Sequence, residues 1–86
     1  MTIFQKKVYQ IVSKIPRGQV FSYGQIAEKL GNKNLARAVG NALNKNYDRN
    51  IPCHRVIKSN GQLGGFNRGI KKKALLLKKE GVRIKP

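Results

Sequence analysis

Negative charge is nearly missing from this chain of 86 residues: Glu28, Asp48 and Glu80 are its only acids, set against 19 lysines and arginines. A formal net charge of +16 exceeds the magnitude of about 2 to 8 that keeps a small domain soluble, so a polyanionic partner is expected, nucleic acid first. Cysteine and histidine occur once each, which excludes an internal disulfide and a zinc site of three or four soft ligands. No structural metal is therefore expected. No apolar run approaches the roughly 20 residues that cross a bilayer, and the start MTIFQKKVYQ lacks the apolar core of a secretory signal. There is no lipidation signal either, so no membrane partner is expected. These absences predict a soluble cytoplasmic protein, associated with the nucleoid, or nuclear if eukaryotic. Residues 1–86 give enough chain for one core only, hence a single domain. Hydrophobic residues make up 40% of the chain and are spread along it, which argues for a folded rather than a disordered chain.

The pattern along the chain predicts a mainly α fold. Thr2 and Gln5 have capping-box spacing, and Phe4, Val8, Ile11, Val12 and Ile15 then fall on one helical face. Pro16, Arg17 and Gly18 punctuate, leaving Gln19 to Phe21 as a short extended piece. Ser22 and Gln25 repeat the capping box for a second helix with Ile26 and Leu30 inward and Gly31 just past its end. A third helix in LARAVGNALNKN sets Leu35, Val39, Ala42 and Leu43 inward and Arg37, Asn41, Asn44 and Lys45 outward. Two short helices joined by a glycine-containing turn, the second with exposed Arg and Asn, form a helix-turn-helix pattern. VIKSNGQLGGF predicts a short β-hairpin, or wing, turning at Asn60-Gly61. A last helix from about Ile70 to Glu80 should place Ile70, Ala74 and Leu77 inward, with Lys71, Lys72, Lys78 and Lys79 outward. The fold class is a small winged helix-turn-helix-like domain.

Asn50 to Ile57 read NIPCHRVI, so the one cysteine precedes the one histidine. A free cysteine is commonly a small buried hydrophobe and a lone histidine a satisfied structural group. A reactive cysteine needs a base nearby and a carboxylate to orient that base, and the chain offers only three carboxylates.

IPCHRV, with FSYGQIAEKLGNKNLARAVGNALNKN upstream and NGQLGGFNRG and LLLKKEG downstream, resembles the DNA-binding and active-site domain of the O6-alkylguanine-DNA alkyltransferases, also called methylated-DNA-protein-cysteine methyltransferases. The resemblance covers nearly the whole chain in the same order. It implies Cys53 as acceptor thiol, His54 as its base through a water, Glu80 as the partner of His54, and Asn46 as a link between recognition helix and active-site turn. Tyr23 is implied at the target phosphate and as a proton donor to the leaving guanine. Arg37 is implied as a finger filling the gap in the duplex, with Lys73 near the site. Ala36, Ala38, Gly40 and Asn41 would meet DNA, while Pro52, Val56, Phe66, Asn67 and Lys73 would line the pocket. Taken without the resemblance, Tyr23 reads as a core-edge ring and Arg37 as a solvated charge. Glu80 could merely pair with Lys73, Lys79 or Arg83, although the scarcity of acids favours the histidine, Asp48 could offset Arg49 or Arg55, and Gly40 could serve a helix contact.

The implied activity is DNA repair: an O6-alkylguanine is flipped from double-stranded DNA and its alkyl group moves irreversibly to Cys53, a single-turnover transferase reaction that requires no cofactor. Extrusion costs a few kcal/mol, and an inserted arginine offsets part of the lost stacking. The protein is expected to act as a monomer, with clustering on DNA left open. Most cysteine-bearing members carry an additional N-terminal domain. Short single-domain relatives are often alkyltransferase-like proteins that bind the lesion without repairing it and usually have tryptophan at the cysteine position. Cys53 favours transfer. Tyr47 stands where proline is common, a departure that bears on the Asn46 link, and Phe66-Asn67 stand where tyrosine-serine is common, so a different grip on guanine is expected. A winged-helix regulator with an inert cysteine is the remaining alternative.

Overall fold

Both capping boxes form. In the computed structural model, which describes residues 1–83, Thr2 Oγ1 accepts the Gln5 N–H and Gln5 Oε1 accepts the Thr2 N–H, each at 3.0 Å, opening helix α1 (Ile3–Val12). Ser22 and Gln25 exchange the same pair of bonds at 3.0 and 2.8 Å and open α2 (Tyr23–Lys29). Each box satisfies two N–H groups that a helix start otherwise leaves unpaired. Gly31 follows α2 at φ +95°, a left-handed geometry that glycine adopts without strain. A 3-10 turn over Lys33–Leu35, capped by Asn32, leads into α3 (Ala36–Asn44).

The core sits where these three helices converge. Val8 and Val12 of α1, Ile26 and Ala27 of α2, and Val39, Ala42 and Leu43 of α3 are buried together with Ile15 and Val56. Fully burying one such aliphatic side chain contributes about 1.5–3 kcal/mol, so the inner face of α3 fixes the direction of its outer face. The buried Tyr9 hydroxyl donates to the Ala42 carbonyl at 2.6 Å and ties α1 to α3.

The predicted hairpin is not formed. Lys58 N–H donates to Gln62 O at 2.9 Å and Gly61 N–H to Lys58 O at 3.0 Å, so Asn60-Gly61 does make a tight turn, but no strand follows it among the described residues. The strand before it has another partner: β1 (Phe21–Ser22) and β2 (Val56–Ile57) pair in parallel, Phe21 opposite Val56 and Ser22 opposite Ile57. A two-residue ladder between segments 35 positions apart leaves no local signal, whereas the Asn-Gly dipeptide signals a hairpin whether or not its arms pair. The pairing sets the first residues of α2 beside the turn that carries the cysteine.

Helix α4 (Ile70–Lys79) packs against that turn, and its Leu77 is fully buried. Ile70 is not inward as expected but 54% exposed, because the first turn of α4 lies beyond the edge of the core, and Lys73 takes the inner position one turn later. The C-terminal end of α4 is fastened by Arg17, whose Nη2 donates to Lys79 O at 3.0 Å. No helix among the described residues is long and apolar enough to cross a membrane.

Candidate active site and nucleic-acid interface

Pro52 shapes the cysteine segment. Its backbone, at φ −80° and ψ 63°, forms an inverse γ-turn closed by the Cys53 N–H to Ile51 O at 2.8 Å, and the 3-10 turn Cys53–Arg55 follows. Cys53 is buried, and its Sγ receives the Asn46 Nδ2 donor at 2.7 Å, with Ile51 O at 3.5 Å. Asn46, itself buried at the end of α3, also donates to Asp48 O and accepts from the Asp48 N–H. The asparagine thus joins the end of α3, the following loop and the sulfur.

His54 and Glu80 meet across 26 residues, Nε2 to Oε2 at 2.9 Å. Arg55 holds the same carboxylate in a fork, Nε to Oε1 at 3.0 Å and Nη2 to Oε2 at 2.8 Å, and its Nη1 donates to Ile15 O at 2.8 Å. The Arg55 hydrogen bonds, helped by those from His54, hold the Glu80 carboxyl at about 2 against the opposing effect of burial. Glu80 is therefore ionised and only accepts, so His54 Nε2 carries the proton and Nδ1 is the basic nitrogen. Neither Lys73, Lys79 nor Arg83 is the partner of Glu80. Asp48 does not offset Arg55, and its Oδ1 instead accepts the Asn50 N–H at 2.9 Å.

Two cavities flank this centre. One, of about 190 Å³, is lined by Cys53 and His54 with Ile51, Phe66 and Leu76, and by Arg49, Arg68 and Lys72. The other is a cleft of about 370 Å³ on the outer face of α3, lined by Tyr23, Ala36, Arg37, Gly40, Asn41 and Asn44 and closed by Lys58, Gly64 and Gly65. Residues Gly64–Phe66 stand between them, the glycines facing the cleft and Phe66 the sulfur. Of the residues predicted at DNA, Tyr23, Arg37, Ala36, Gly40 and Asn41 line the cleft, and Ala38 does not. A methyl group at Gly40 would meet the Tyr23 ring at 3.8 Å, ordinary contact, so no helix packing demands glycine there. Gly64 is different: at φ +73° it lies so close to Tyr23 that a Cβ would stand 2.9 Å from the hydroxyl.

The predicted pocket set divides. Phe66 lines the sulfur cavity, while Pro52 and Val56 are buried, and the Val56 N–H already closes the turn onto Cys53 O. The Asn67 side chain is engaged elsewhere: its Nδ2 donates to Asn44 O at 2.9 Å and Asn46 O at 2.6 Å, lashing the glycine-rich segment to the end of α3. Its Oδ1 is buried without a partner. Lys73 is entirely buried, its Nζ donating to Val56 O at 2.7 Å, Gly65 O at 3.2 Å and Tyr23 Oη at 3.4 Å. Burial lowers it to about 8, with the neighbouring Cys53 acting in the opposite direction. Burial, with Cys53 second, pushes the Tyr23 phenol up. The Arg55 fork on Glu80 and the close approach of Gly64 to Tyr23 lie outside the expectations from sequence. The scarcity of acids was a usable signal for Arg55, while Gly64 was one glycine among four in a short stretch. Among the described residues, no group of three or more His, Cys, Asp and Glu could hold a metal ion.

A family model for the DNA-binding domain of 6-O-methylguanine DNA methyltransferase matches residues 3–82. A methylated-DNA-protein-cysteine methyltransferase of Saccharolobus islandicus is 52% identical over 82 residues, 94% of this chain and 52% of its own. The chain spans about half the length of the curated relatives it matches. Mycobacterium tuberculosis OGT in complex with DNA superposes with a TM-score of 0.90 at 43% identity, over 94% of this chain and 50% of that one. Schizosaccharomyces pombe Atl1, in complex with damaged DNA containing O6-carboxymethylguanine, gives a TM-score of 0.83 at 37% identity, over 99% of this chain and 83% of its own.

Proposed function

Because the chain belongs to the 6-O-methylguanine DNA methyltransferase family, we propose that it binds double-stranded DNA, swings an O6-alkylated guanine out of the stack and takes the alkyl group onto Cys53 once and irreversibly. What supports transfer most is the sulfur's setting: an N–H donor from Asn46 on one side, and an imidazole anchored by an ionised carboxylate along the same cavity wall. In this reading α3 enters the duplex groove, Arg37 occupies the space the nucleotide leaves, and Tyr23 lines the cleft beside Gly64.

The displacement balances without a cofactor. His54 Nδ1 accepts the thiol proton, directly or across one water, and the imidazolium is stabilised by Glu80. The thiolate forms the S–C bond as the C–O6 bond breaks, and guanine leaves with a negative charge that a proton must neutralise. Tyr23 is the donor, with the Lys73 ammonium 3.4 Å from its oxygen to hold the phenolate that results. A positioned acid of this kind contributes about 10²-fold or more. The thioether is permanent, so each molecule acts once.

A second reading, lesion binding without transfer, is favoured by the Atl1 likeness, of which the chain covers 83%. Intact-mass measurement after incubation with O6-methylguanine duplex separates the two. Gain of one methylene by the native chain and no gain by Cys53→Ala is the expected result. Tight lesion-selective binding with unchanged mass would assign the chain to recognition alone.

A further inference from the structure

The cavity at the sulfur is unlike its surroundings. Its floor, Ile51, Phe66 and Leu76, is apolar, while its remaining wall carries three cations, Arg49, Arg68 and Lys72. None of the three is ion-paired among the described residues, because the nearby carboxylate, Glu80, is taken by His54 and Arg55. Arg68 lies 5.4 Å above the Phe66 ring centroid, which holds a cation beside the floor rather than out in solvent. The DNA-facing cleft lies across Gly64–Phe66 and has its own cations, Arg37 and Lys58.

From this we infer that the cavity is an alkyl subsite selective for O6 adducts ending in an anion, a carboxylate in the first instance. The inference rests on the proposed flipping of O6-alkylguanine toward Cys53. When the sulfur, the alkyl carbon and O6 are in line, whatever the carbon bears projects sideways from that axis. Beside Cys53 the open volume is the 190 Å³ cavity. A methyl adduct touches only its mouth. A carboxymethyl adduct lays its methylene against the apolar floor and turns its carboxylate to the cationic wall, whose three charges lack any acidic partner there. The transfer still balances: sulfur bonds to the methylene carbon, the carbon–O6 bond breaks, guanine takes a proton, and Cys53 ends as an S-carboxymethyl thioether.

The test uses the full chain and three duplexes that differ only at one guanine, carrying O6-methyl, O6-carboxymethyl or the neutral isostere O6-carbamoylmethyl. Single-turnover rates of the last two are taken as a ratio, which cancels general DNA affinity. Replacing the wall (R49A/R68A/K72A) should lower that ratio about fivefold or more, as expected for the loss of three partly exposed charge contacts. The triple variant K71A/K78A/K79A, with the same loss of charge on the outer face of α4, should leave it unchanged. If the wall variant folds poorly, the single changes R49Q and K72Q are read in the same way, each lowering the ratio by a smaller factor. A ratio equal in the native chain and the wall variants would overturn the inference and assign the three cations to phosphates. Should the methyl duplex give no mass gain, the transfer reading fails by itself. The ratio is then read as equilibrium affinity of Cys53→Ala for the two adducts, and an equal affinity drop for both in the wall variant overturns the subsite.

Discussion

Glu80 is the residue on which the centre turns, because it fixes the histidine tautomer and receives the arginine fork at once. A carboxyl that titrates near 2 in the folded chain and near 4.5 when unfolded favours folding by about 3 kcal/mol at any pH above the unfolded value. Protonation removes that contribution as pH falls from about 4.5 to about 2. Acid denaturation of the native chain should therefore steepen in that window, and Glu80→Gln should be less stable at neutral pH yet nearly flat across it, as followed by circular dichroism. Lys73 has the opposite sign. Its folded value of about 8 lies below the ordinary 10.5, so charging it opposes folding by a constant amount below pH 8, and the opposition lifts between about 8 and 10.5, where only the unfolded lysine keeps its proton. Relative to Lys73→Met, the native chain should gain up to about 3 kcal/mol of stability across that interval, measured by urea unfolding. A native-minus-variant difference that stays level there would mean that the ammonium is solvated.

At the scale of elements, α3 carries a glycine that its own packing does not require. Alanine at position 40 would meet Tyr23 at ordinary distance and would remove a helix-interior glycine, so Gly40→Ala should stabilise the fold by about 0.5–1 kcal/mol. The added methyl would stand in the cleft that the duplex is proposed to occupy, so the same variant should bind DNA less tightly, a trade visible by pairing thermal melts with titrations. The helices were legible because their signals are local: Thr2 with Gln5, Ser22 with Gln25, Gly31 after α2, and a 3.6-residue period in between. The parallel pairing of Phe21 with Val56 was not, since two residues per strand cannot show an alternation. Ile70 was misplaced by extending a period through a helix end where the core had run out. In the site, the pairing of His54 with Glu80 followed from the resemblance and from the scarcity of acids. The Arg55 fork, the engagement of Asn67 and the burial of Lys73 depend on how distant segments close on one another, which residue spacing does not encode.

For the molecule as a whole, the number that matters is the excess of positive charge over a small body. The chain measures 32 × 25 × 20 Å, so at low salt, where screening lengths reach about 30 Å, all of its cations act together on an approaching duplex. Near 0.15 M the screening length shrinks to about 8 Å, and only cations at the contact still count. The two regimes predict different behaviour for two classes of substitution. If the cleft face neutralises about 5 phosphates, log affinity should fall against log salt with a slope near −4.5, a loss of about 500-fold between 50 and 200 mM. Arg37 lines that cleft, so Arg37→Ala should reduce the slope by about one. Lys78 and Lys79 project from the far end of α4, away from the cleft residues, so Lys78→Ala with Lys79→Ala should slow association at low salt while leaving the slope as it was. Fluorescence anisotropy on one undamaged duplex across a salt series measures both. An affinity that stays level through the series would mean that +16 charges serve something other than a polyanion, and the groove assigned to α3 would have to be abandoned with it.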